Sequence, residues 1–189
     1  HTEIAERKQI EDEKRLKTAA LSQSERLLKL VLEALPVGVW ILDQEGKIVH
    51  GNSASQVIWA GARYVGIDQY GEYVGWWADS GKRIAANEWA AARAIKNGET
   101  SLDEEIEIQC FDGTRKYILN SGVPIRDAQE KMIGAVIVNR DITKRKIAEN
   151  QLKAERQRFF SLMEQLPAYV YLQDQTNSIV FSNKIYRDR

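Results

Sequence analysis

Residues 32–52, LEALPVGVWILDQEGKIVHGN, recur as residues 163–183, MEQLPAYVYLQDQTNSIVFSN. Leu35-Pro36 falls on Leu166-Pro167, Asp43 on Asp174, Ile48-Val49 on Ile179-Val180 and Asn52 on Asn183, all at an offset of 131 without a gap. Solenoid repeats recur every ~20–50 residues, so an offset this long points to whole domains in tandem. The second copy stops after one strand–turn–strand unit, and a lone hairpin cannot close a core.

The stretches upstream of the two copies also match. Leu21, Leu28, Val31 and Leu35 stand at the same offset from Leu152, Phe159, Leu162 and Leu166, and Ser24 interrupts the first series where Glu155 interrupts the second. Ile10 and Ala148 extend the two stripes. Steps of three and four mark one face of a helix. The other faces are rich in Lys, Arg, Glu and Gln, and a narrow apolar stripe on a charged helix suits a two-stranded coiled coil. The alternative is an amphipathic helix lying on its own domain. A helix over residues 3–35 would be ~50 Å long at 1.5 Å per residue, longer than a small domain covers, which favours self-association.

Residues 36–143 form one unit between these helices, residues 1–35 and 144–166, with residues 167–189 opening the next. VGVWILD and KIVHGN read as strands around the turn QEG. NSASQVIWAGARYVG reads as short helical pieces, GEYVGWWADSGKR as a loop, and AANEWAAARAIKNG as a helix stopped by Asn97-Gly98. Three strands follow, DEEIEIQCF, TRKYILNSGVPI and MIGAVIVNRDI, the first two joined through Asp112-Gly113. This order is α+β with an antiparallel sheet. At the end of the last strand, Asp141 and Thr143 are residue types that cap helix starts by accepting backbone N–H bonds, and a carboxylate there meets the positive end of the helix dipole. They are the expected relay between sheet and helix.

The totals exclude several classes. Twenty-seven basic and 27 acidic residues cancel, so nothing points to nucleic acid or a charged membrane surface. The lone Cys110 allows no internal disulfide. The longest apolar run, Met132–Val138, is far short of the ~20 residues that span a bilayer. The chain opens on His1 and stops at YRDR just after a strand-like run, and is expected to be a fragment of a longer cytoplasmic protein.

LPVGVWILDQEGKIVHGN, FDGTRKYI, Pro124-Ile125-Arg126-Asp127 and GAVIVNRDITKRK, in this order, resemble a PAS domain, the sensory module of bacterial signalling proteins. The resemblance covers residues 36–143 in full and 167–189 in part, and the opening TEIAERKQ resembles the residues that follow such a domain. It implies a five-stranded antiparallel sheet with short helices across one face, enclosing a pocket, flanked here by long coiled-coil-type helices in a tandem array. Haem-binding relatives usually take an axial His from the helix matching AANEWAAARAIKNG, which has none. Photoactive flavin relatives carry a reactive cysteine near the middle helices, whereas Cys110 is in a strand. Non-covalent flavin or a small metabolite stays open.

No catalytic constellation is visible. His50, the only internal histidine, has no metal-ligand cluster beside it. GWWADSGKR departs from a phosphate loop in spacing and in having Arg83 after Lys82. No nucleophile motif surrounds any serine, and Glu104, Glu105 and Glu107 read as an exposed acidic edge. The tryptophans, Trp40, Trp59, Trp76, Trp77 and Trp89, are unusual in number. Trp59, Trp77 and Trp89 are expected to wall a pocket, since aromatics with a few polar groups are typical linings, although core packing alone explains any one of them. Arg93, one turn after Trp89, either holds a ligand carboxylate or pairs with an acid such as Asp79 or Glu88. Asn120 and Asn139 are candidates for inward-facing amides, but alternation does not say which face they take.

Three functions remain in play. The first is a PAS sensor that binds a small molecule and, as a homodimer, relays the change through coiled-coil helices to a histidine kinase or diguanylate cyclase. The second is a ligand-free PAS scaffold for dimerisation and relay. The third, an enzyme sharing the fold, lacks a catalytic set.

Overall fold

The computed structural model describes residues 2–188. The side chains of residues 2–8 and of Ile10 lie outside the described residues. The chain falls into two compact units, one ending at Ile142 and the other beginning at Thr143.

The first unit begins with helix α1 (Thr2–Ala34). Its Leu21, Leu28 and Val31, and Leu35 just after it, are all exposed. The hairpin β1 (Gly38–Leu42) and β2 (Ile48–Gly51) follows. Asp43 closes its turn by accepting the backbone N–H groups of Glu45 and Lys47. Helix α2 (Ser53–Trp59), a 3-10 helix (Ile67–Glu72), strand β3 (Val74–Trp77) and helix α3 (Ala90–Asn97) lead to β4 (Ser101–Gln109), β5 (Arg115–Arg126) and β6 (Met132–Asp141).

The six strands form one antiparallel sheet in the order β2-β1-β6-β5-β4-β3. The fold is thus α+β with an antiparallel sheet, but the expected five strands become six. The additional edge, β3, lies in the stretch GEYVGWWADSGKR, expected to be a loop. Its glycines weaken the strand pattern, yet pairing of Val74–Trp77 with Ile106–Gln109 supplies the backbone bonds. Gly75 is required there: a Cβ would stand 2.7 Å from Cη2 of Trp89, so only a bare backbone lets that ring lie against the strand. Because β3 takes the edge, the acids of β4 are not an edge row. Glu104 pairs with Arg93 and Glu107 with Arg115.

Helix α3 starts five residues later than its sequence implies. Residues 85–88 form a turn instead, closed by the Glu88 carboxylate on the Ala85 N–H, at 2.9 Å. The helix ends at Asn97, with Gly98 in the left-handed region. Ala90, Ala92 and Ala94 are its buried face. At Gly122 of β5 a Cβ would come within 3.0 Å of Ala90, so small residues on both sides bring helix and sheet close. The core between them holds Ile106, Ile108 and Ile118, none with exposed surface.

The second unit consists of α4 (Thr143–Gln165), the hairpin β7 (Tyr171–Gln173) and β8 (Ile179–Ser182), and the short α5 (Lys184–Arg187). Asp141 is the last residue of β6 and Thr143 the first of α4. Arg145 reaches Glu149 one turn on, at 3.5 Å. Leu152, Phe159, Leu162 and Leu166 are exposed.

Candidate functional site

Asn139 of β6 is the hub of a buried polar network. It lies directly across the ladder from Asn120 of β5. Both are almost fully buried, at 2% and 3% exposure, which places both amides on the core face. Trp40, from β1, donates its indole N–H to Asn139 Oδ1 at 3.1 Å, and Trp59, the last residue of α2, donates to the same oxygen at 2.9 Å. Asn139 Nδ2 then donates to Asn120 Oδ1 at 2.9 Å. An indole only donates, so the two tryptophans fix the Asn139 amide with its oxygen toward them. Its nitrogen therefore faces Asn120, whose own oxygen must accept.

Aromatic rings surround this network. Tyr73 meets Trp59 edge-on at 4.8 Å between ring centres and Trp40 at 6.1 Å, and Trp89 stands 6.0 Å from Trp59. Edge-to-face pairs of this kind add to the area they bury. A cavity of about 50 Å³ opens among them, lined by the three tryptophans, Tyr70, Tyr73 and both asparagines, with apolar side chains filling the rest. Tyr70 donates to the Gly46 carbonyl, and Tyr73 Oη donates to the Arg63 carbonyl while accepting the Arg63 N–H. Burial raises both phenol pKa values, that of Tyr73 to about 12, so both are protonated at neutral pH. Trp89, also buried, has no hydrogen-bond partner for its indole N–H.

Of the residues expected to line a pocket, Trp59, Trp89, Asn120 and Asn139 do so. Trp77 and Arg93 stand elsewhere. Trp77 is half-buried on the edge strand β3. Arg93 is a structural tie: Nη1 meets Glu99 at 2.5 Å, Nη2 meets Glu104 at 2.5 Å, and Nε donates to the Glu88 carbonyl at 3.0 Å. All three guanidinium nitrogens are engaged, which answers the choice between ligand and acid in favour of the acids, though neither is the carboxylate of Asp79 or Glu88. Trp40, Tyr70 and Tyr73 are lining residues that sequence reasoning missed. Tyr70 and Tyr73 lie in or beside the stretch taken for a loop.

A second site ties α1 to the hairpin. Asn52 is completely buried. Its Oδ1 accepts the N–H groups of Val39 and Ser55 at 2.9 and 3.0 Å, and its Nδ2 donates to the carbonyls of Leu32 and Val37 at 2.8 and 3.0 Å. One amide thus caps α2, completes the end of α1 and holds β1. The second unit repeats the arrangement at the same offset of 131. Asn183 accepts from Val170 and Tyr186, and donates to Met163 and Ala168. Glu164 accepts the N–H of Lys184 at 2.7 Å, where Glu33 accepts that of Ser53. The matching of Glu33 with Glu164 and Asn52 with Asn183 was the available signal.

Among the described residues there is no group of His, Cys, Asp or Glu that could hold a metal ion. The cavity lining includes no histidine, and its volume is too small for a haem or a flavin as the walls stand. Cys110 is buried with its thiol on the Ile58 carbonyl at 3.2 Å. No helix among the described residues is long and apolar enough to cross a membrane.

A family model described as PAS fold matches residues 32–147. The sensor histidine kinase TmoS of Ectopseudomonas mendocina is 28% identical over 152 residues, which take in 79% of this chain. The matched region spans 15% of the length of that relative. Among solved structures, the PAS domain of an HTR-like protein from Haloarcula marismortui is 17% identical with a TM-score of 0.48, covering 68% of this chain and 99% of that one. The PAS domain of nitrogen regulation protein NR(II) from Vibrio parahaemolyticus is 15% identical with a TM-score of 0.44, covering 61% and 98%.

Proposed function

The chain belongs to the PAS family, and on that premise we propose that it is the cytoplasmic small-molecule sensor of a bacterial signal-transduction protein, acting as a homodimer. The observation that carries this reading is the position of Asn139. It joins three parts of the cavity wall, through Trp40, Trp59 and Asn120. It also lies two residues before Asp141, where β6 ends and the chain passes into α4. A change in the cavity that disturbs this amide is therefore two residues along the chain from Asp141 and four from Thr143.

The output in this reading is a histidine kinase, as in the relative, or a diguanylate cyclase elsewhere in the protein, with no catalysis by this segment. Residues 167–189 begin a second PAS domain in this reading, supported by the repeated Asn183 junction. Exposed Leu21, Leu28 and Val31 on α1 with Leu35 just beyond it, and Leu152, Phe159 and Leu162 on α4 with Leu166 just beyond it, are the seam for parallel pairing.

The tightness of the cavity favours a second reading, a ligand-free scaffold for dimerisation and relay. Native mass spectrometry of the purified chain separates the two. A bound small molecule that leaves on denaturation is the sensor's result. Bare polypeptide mass, with no binding of any added metabolite, is the scaffold's.

A further inference from the structure

The cavity wall carries a buried hydrogen-bond donor without an acceptor. Asn139 Oδ1 already accepts two indole N–H groups, which fills both its lone pairs. Asn120 spends its oxygen on Asn139, which leaves its N–H₂ donors outside the network. Both tyrosine hydroxyls are held by backbone carbonyls. Trp89 is 7% exposed, lines the cavity, and has a buried indole N–H with no acceptor. So the side chains around this space offer an unused donor at Trp89 and the Asn120 amide nitrogen, the Asn139 oxygen is filled, and no Lys, Arg, Asp, Glu or His lines it.

We infer that the cavity selects a neutral, flat, single-ring molecule with a hydrogen-bond acceptor on its edge, such as an aromatic carbonyl. This rests on the sensing function proposed above and narrows it. A charged ligand would be buried without a counter-ion, at a cost that apolar contact does not offset. A ligand whose only polar group is a donor would leave the Trp89 indole N–H unpaired. A plain hydrocarbon would fit the rings but leave Trp89 unpaired, and an unpaired buried donor is destabilising.

Size adds a mechanical condition. About 50 Å³ is well below the roughly 150 Å³ that accommodates a benzene ring. A ring therefore enters by moving a wall. Trp89 is the movable wall: it sits where the 85–88 turn meets α3, at a helix start with no side-chain cap. The same residue thus gains a hydrogen bond and changes position when the ligand binds.

The test uses the chain with ¹⁵N-labelled indoles and three probes: acetophenone, its near-isostere α-methylstyrene, which replaces the carbonyl oxygen by CH₂, and benzoate. The expected result is acetophenone binding about tenfold tighter than α-methylstyrene, as one recovered hydrogen bond implies. The Trp89 indole resonance, assigned through Trp89→Phe, should shift most, and benzoate should not bind. In Trp89→Phe the preference should fall below about threefold; an unchanged preference overturns the part given to Trp89. Equal binding of acetophenone and α-methylstyrene, or tight binding of benzoate, overturns the ligand class and leaves sensing intact. Failure of all three probes to bind overturns the class, and sensing with it if native mass spectrometry also finds bare polypeptide.

Discussion

Glu33, in the last turn of α1, grips Ser53, the first residue of α2. Its carboxylate accepts the Ser53 hydroxyl at 2.6 Å and the Ser53 N–H at 2.9 Å. The Ser53 hydroxyl and then its N–H hold the Glu33 pKa below the ordinary value of 4.5. A depressed carboxylate pKa adds stability above its unfolded value and loses it as pH falls through the folded one. The difference in melting temperature between the wild type and Glu33→Gln should therefore be constant above about pH 5 and shrink at lower pH. Thermal scans from pH 3 to 7 check this, and a difference that grows as pH falls refutes it.

Asn52→Ala should destabilise the first unit by roughly 3 kcal/mol. It removes the cap of α2, worth ~1 kcal/mol, and takes the side-chain partner from the buried Val39 N–H and from the partly buried Leu32 and Val37 carbonyls. Asn183→Ala should leave the unfolding of the first unit unchanged. Urea titration followed by tryptophan emission gives both values.

Asn139→Leu should cost roughly 3 kcal/mol or more, since it orphans two buried indole N–H groups and the Asn120 oxygen at once. With Trp40→Phe already in place, the same change should cost about 1 kcal/mol less, because one orphan is gone. A double-mutant cycle with no coupling would mean that the shared oxygen contributes little.

Leu28→Asp and Phe159→Asp should each weaken the homodimer. The sites stand on different helices, so the pair together should be monomeric at ~100 µM by light scattering, where the wild type is dimeric. A monomeric wild type at that concentration rules out the seam.

Asp141→Ala should leave the domain folded, lowering stability by ~1 kcal/mol, yet abolish the response of the full-length protein. A full response in a cell-based reporter assay would remove Asp141 from the relay.

Turn chemistry was the readable part of this fold. Asp112-Gly113 makes its hairpin because Asp112 accepts the Thr114 N–H while Gly113 takes a positive φ, and Gly98 ends α3 for the same conformational reason. The edge strand β3 was not readable. Its strand character comes from Ile106–Gln109 alongside and from Trp89 lying on Gly75, both distant in sequence. The site divided in the same way. The repeat marked Asn52, and composition marked the tryptophans, but alternation could not choose a face for Asn120 and Asn139. That choice depends on the partners Trp40 and Trp59, which are 99 and 80 residues from Asn139. The choice at Arg93 between a ligand carboxylate and a structural acid was open in the sequence because Glu99 and Glu104 are brought to its guanidinium only by the fold.

The indole arrangement makes the domain its own optical instrument. Trp40 and Trp59 are pinned to one oxygen, Trp89 is unpinned beside the same cavity, and Trp76 and Trp77 lie half-buried on the far edge strand. Any occupant that engages Trp89 or loosens Asn139 alters the polarity and hydrogen bonding of the three interior fluorophores while leaving the outer two as a steady background. The colour and intensity of the domain's native emission thus report whether the cavity is filled, with no label attached.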